Sequence, residues 1–187
     1  MKIKLIWDGI GIKLIWDTNN KHILQKLFNF INKTPLELMR EKMNTDNLLY
    51  LNYTSMNTKS VNLIKTLNIR EELDTFFING GCFSKKKRKT WDNYIEEMKT
   101  YKFNLDPPGK CIDGYRVFET LIVGTIPIIF SSCNDEMFND LPVLIIKDYN
   151  ILTPEFLEEQ WINITSRDDY NFYKLSAEYW YNIISSY

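Results

Sequence analysis

Short apolar runs alternate with amphipathic stretches along this chain, and the alternation sets in near residue 47. NLLYLNY (47–53), DTFFING (74–80), YKFNLD (101–106), TIPIIFSS (125–132) and LPVLIIKD (141–148) are apolar runs of strand length. The stretches between them repeat at helical spacing. TKSVNLIKTL puts Val61, Ile64 and Leu67 on one side, and TWDNYIEEMKT lines up Trp91, Tyr94, Ile95 and Met98. A helix is expected over 113–123, ended by Gly124. TPEFLEEQW starts another helix at Thr153 and Pro154. The last segment spaces Phe172, Leu175, Tyr179, Trp180 and Ile183 helically, with Asp168 and Asp169 as its expected cap. Trp91, Trp161 and Trp180 fall on apolar helix faces and are expected in the core.

Strands that are apolar throughout, alternating with helices, describe a parallel sheet covered on both faces. Right-handed crossovers then give a Rossmann-like, three-layer α/β fold. Such sheets bind ligands at the carboxyl ends of the strands, near a switch in strand order.

The first 46 residues break this rhythm. IKLIWD at 3–8 recurs at 12–17 around GIG, which reads as a short hairpin, although a local DNA duplication gives the same pattern. KHILQKLFNFINK is amphipathic. TPLELMREKM has Thr34 as N-cap, Pro35 at N1 and Glu37 three residues on, a capping box. The expected division is therefore an N-terminal extension over 1–46 and a Rossmann-like layer with a C-terminal helix over 47–187.

Composition removes several classes of function. The net charge is −1, so no global field draws the chain to nucleic acid or membrane. A local patch remains in SKKKRK (84–89), which fits either a solvated loop or a phosphate-contacting segment. The 3 cysteines are widely spaced and there is a single histidine, so neither a disulfide framework nor a structural zinc is expected. No apolar run has membrane-spanning length and no signal segment is recognisable, so the expected location is cytoplasmic.

The chemistry concentrates in LDPPGKCIDGYRVFETLIVG (105–124). A proline-stiffened turn joins a strand end to a helix start, where N–H groups favour anions. Gly109 lets backbone approach a ligand, and Lys110 and Arg116 add positive charge. A planar guanidinium suits a diphosphate. Asp113 is placed to cap the helix, with Arg116 and Glu119 following along one edge. Glu119, a turn further on, could accept hydrogen bonds from a ribose diol. The same spacing also suits a plain surface pair, stabilising by about 0.2–0.5 kcal/mol. GxGxxG and P-loop patterns are absent.

DPPGKCIDGYRVFETLIVGTIPII followed by DLPVLIIKDYN resembles the exostosin-like glycosyltransferases of the GT-B type, whose pattern is SPPGxGxDxxRxWEALxxGxIPIV before a dLPVL strand. YIEEMKTYKF also resembles the helix and strand that precede that turn. The likeness spans about residues 47–162 and is densest over 101–148. It departs at Lys110-Cys111, Tyr115 and Phe118. The resemblance implies the donor-binding half of a glycosyltransferase, with Pro108, Gly109, Lys110, Asp113, Arg116 and Glu119 around a nucleotide sugar. It implies a substrate rather than a cofactor, no metal, and an unknown glycan or protein acceptor. A second domain or subunit is expected to complete the cleft. The alternatives are a shortened, non-catalytic relative that binds a sugar nucleotide or a partner, and nucleic-acid binding through residues 84–89.

Overall fold

The computed structural model describes residues 33–53, 72–73, 75–77, 89–108 and 115–186. Four strands form one all-parallel sheet: β1 (Leu49–Leu51), β2 (Phe103–Asp106), β3 (Ile126–Phe130) and β4 (Leu144–Ile146). The α-helices delimited among the described residues are α1 (Pro35–Arg40), α2 (Trp91–Met98), α3 (Tyr115–Ile122), α4 (Pro154–Thr165) and α5 (Ala177–Ser185). The expected Rossmann-like α/β architecture is present. Among the described strands the order follows the sequence, β1-β2-β3-β4, so the reversal that marks a ligand crevice in many such sheets is not among them.

Register explains how the layers form. Phe103 pairs with Leu49 and Ile126, and Asn104 with Tyr50 and Pro127. Neighbours in register share a face, and faces alternate along a strand. Phe103, Leu105, Ile126 and Ile128 therefore point one way, and α4 covers them: the Trp161 ring meets Phe103 edge-on at 5.8 Å. Tyr50 and Asn104 point the other way, toward α2 and α3, where Ile95, Met98 and Val123 pack around Tyr50.

The helix signals act as the local chemistry requires. Thr34 and Glu37 form the capping box of α1. Thr90 and Thr153 cap α2 and α4. Gly124 ends α3 with φ +68°, and a Cβ there would lie 2.3 Å from Leu38 Cβ. That close approach seats α1 against the end of α3.

Three expectations are corrected. Residues 75–77 of DTFFING are helical, not extended. Leu73 and Phe77, four apart, are both buried, so helical spacing serves the core better than a strand would. The last segment is broken: Phe172–Leu175 form a 3-10 turn, and Ser176, not Asp168 or Asp169, caps α5. Asp168 instead pairs with Arg40 and Asp169 with Arg167. Trp161 is a core residue, whereas Trp91 and Trp180 are half-buried with their N–H groups engaged. The hairpin, the first amphipathic helix and the 58–67 helix lie outside the described residues.

Candidate functional site

Asn104 and Asp106 lie on the same face of β2, two residues apart. Thr120 and Arg116 lie on one face of α3, four residues apart. The two spacings mesh. Asn104 Nδ2 donates to Thr120 Oγ1 at 2.8 Å, and Arg116 Nη1 donates to Asp106 Oδ1 at 3.1 Å. Thr120 in turn donates to the Arg116 carbonyl at 2.7 Å. The inner rung is fully buried and fixes the helix on the strand. The outer rung, at the carboxyl end of β2, is partly exposed.

Glu119 joins the cluster from the next turn of α3. Its Oε1 accepts from Trp91 Nε1 at 2.8 Å, which ties α3 to the first residue of α2. Burial is the main reason the Glu119 carboxyl is pushed up to about 7. The Trp91 bond and the Arg116 charge pull it down, and Asp106 pushes it further up. The Tyr94 ring lies under the guanidinium, with Arg116 Cζ 6.0 Å from its centroid. The buried Tyr94 hydroxyl has no hydrogen-bond partner among the described residues, and burial raises its pKa.

Of the residues expected to bind a donor, the structure brings Arg116 and Glu119 together, with Pro108 half-buried two residues beyond Asp106. Gly109, Lys110 and Asp113 lie outside the described residues, as do Ser84 to Arg88 of the basic run. Lys89, the last of that run, is paired with Glu97. Sequence reasoning missed Asp106, Trp91 and Tyr94. A signal for Trp91 existed: an indole N–H on a half-buried face needs an acceptor. Asp106 could have been found as the polar residue ending an apolar strand just before the turn.

The cluster unites one guanidinium, one carboxylate and one carboxyl group poised near neutrality, with the Tyr94 ring beneath the guanidinium. It can grip an anion through Arg116 and exchange hydrogen bonds with hydroxyls through Glu119. Among the described residues no group of three or more His, Cys, Asp or Glu could hold a metal ion, and no helix is long and apolar enough to cross a membrane. The chain matches no protein-family model and no curated protein.

Proposed function

We propose that this chain binds a nucleotide sugar and serves as the donor half of a glycosyltransferase, acting in the cytoplasm on an acceptor that a second domain or subunit presents. The observation that carries the reading is the meeting of Arg116 and Glu119 in one half-buried cluster at the carboxyl end of β2. In this reading Arg116 faces the diphosphate and Glu119 the ribose, the roles that the resemblance implies. Loss of a nucleoside diphosphate builds negative charge on the leaving group, and a fixed guanidinium opposes that charge without a metal.

The test is a thermal-shift panel of nucleoside diphosphates and their sugar conjugates. A uridine or guanosine diphosphate species should stabilise the native chain, and Arg116→Ala and Glu119→Ala should each weaken the shift. A flat response across the panel sinks the reading.

Binding without turnover is a second reading. It is favoured by the engagement of both side chains with protein partners, Arg116 with Asp106 and Glu119 with Trp91. Release of nucleoside diphosphate from a bound nucleotide sugar, followed over time, separates the two.

A further inference from the structure

Asp106 closes β2 and Arg116 stands in the first turn of α3, so their ion pair joins the end of the strand to the start of the helix. Both side chains are only partly exposed: Arg116 is 27% exposed and Asp106 13%. A pair this sheltered is screened less than a surface pair. Any anion that reaches Arg116 meets a guanidinium whose charge is already opposed. With Glu119 ionised, the three groups carry two negative charges against one positive.

We propose that Asp106 sets the anion affinity of this cluster: a phosphate group binds by taking the Arg116 guanidinium from the Asp106 carboxylate. The affinity is then a difference between two ion pairs rather than the strength of one. The inference rests on the nucleotide-binding reading for its choice of ligand. Arg116 keeps other support when Asp106 yields. The Tyr94 ring lies beneath it, and the buried Asn104–Thr120 bond holds the second turn of α3 on β2. Asp106 is thus a negative determinant of affinity, and its removal should tighten binding instead of destroying the site.

Asp106→Asn keeps the side-chain shape and an acceptor oxygen while deleting the charge. Titration calorimetry with inorganic pyrophosphate, uridine diphosphate and guanosine diphosphate should show about tenfold tighter binding to this variant than to the native chain. In an Arg116→Ala background the same substitution should gain nothing. Asp106→Ser serves as the second variant if the asparagine chain does not fold.

The outcomes divide cleanly. Tighter binding of pyrophosphate with no preference for either nucleotide supports the competition and overturns the nucleotide reading. A nucleotide that binds the native chain through Arg116 but gains nothing from Asp106→Asn overturns the competition and leaves the nucleotide reading standing. A gain that persists without Arg116 overturns the competition, because it reports general charge. No binding to any variant overturns both.

Discussion

The indole N–H of Trp91 donates to Glu119 Oε1 at 2.8 Å, and this bond couples the start of α2 to the second turn of α3. It also fixes a carboxyl group in a place that disfavours its charge. The folded Glu119 pKa of about 7 stands above the ordinary 4.5. Between those values the folded chain holds a proton that the unfolded chain has released. The stabilising contribution is therefore whole below pH 4.5 and is lost as pH rises through about 7.

Glu119→Gln should expose this pH dependence. Glutamine keeps the acceptor for Trp91 and carries no charge at any pH. At pH 8 the variant should be more stable than the native chain by about 1–2 kcal/mol, discounting ~1.4 kcal/mol per pKa unit for partial exposure. At pH 4.5 the two should coincide. Urea unfolding at both pH values measures the difference, and parallel profiles contradict the assignment.

Trp91→Phe tests the other end of the bond. Phenylalanine retains most of the packing against the cluster of Tyr50, Ile95, Met98 and Val123 but removes the donor. The Glu119 carboxyl loses a hydrogen bond that favours its charged form, so its titration should move to higher pH. The stability loss should be about 1–2 kcal/mol and smaller once Glu119 is also Gln. A Glu119 titration left in place, followed by NMR, rules out the coupling.

The sheet was legible because its strands are apolar on both faces, and two helix starts because Thr34 and Thr153 are good caps followed by proline. Phe76 and Phe77 misled, since two adjacent aromatics look like strand residues. Phe77 faces the core as a helical partner of Leu73, while the Phe76 ring meets Tyr149 at 5.4 Å. Arg116 and Glu119 stood out because charge at the start of a helix is informative. Asp106 was visible only as the polar end of an apolar strand, and its pairing with Arg116 emerges only from the register of α3 on β2. Pairings of this kind lie in tertiary geometry, and no local pattern encodes them.

Gly124→Ala should be costly for two separable reasons. Its φ of +68° disfavours any Cβ, and that Cβ would meet Leu38 Cβ at 2.3 Å and the Leu38 carbonyl carbon at 2.9 Å. No rotamer change at Leu38 moves those atoms, so α1 has to shift. The loss should be about 2 kcal/mol or more, above the roughly 1 kcal/mol of the backbone term alone. Hydrogen exchange should accelerate in residues 35–40 before the sheet. A loss confined to the backbone term, with α1 protection intact, refutes the close packing.

Lys42 holds the opposite end of the molecule. Its ammonium reaches the carbonyls of Tyr101, Val123 and Gly124 and the hydroxyl of Thr125, so one side chain satisfies oxygens at the ends of both α2 and α3. Burial, with a smaller contribution from Lys99, pushes its pKa down from 10.5 to about 7, while the surrounding oxygens favour the charged form. Lys42→Met should strand two or three carbonyls and cost about 2–4 kcal/mol at pH 7. The depressed pKa fixes the sign of the pH effect. From about 7 toward 10.5 the unfolded chain retains a proton that the folded chain has released, so native stability gains on the variant as pH rises. Unfolding of both chains at pH 7 and pH 9 reads the slope directly. A gap that stays constant places the folded Lys42 pKa near its ordinary value and makes the oxygen cage, not burial, the dominant influence on this lysine.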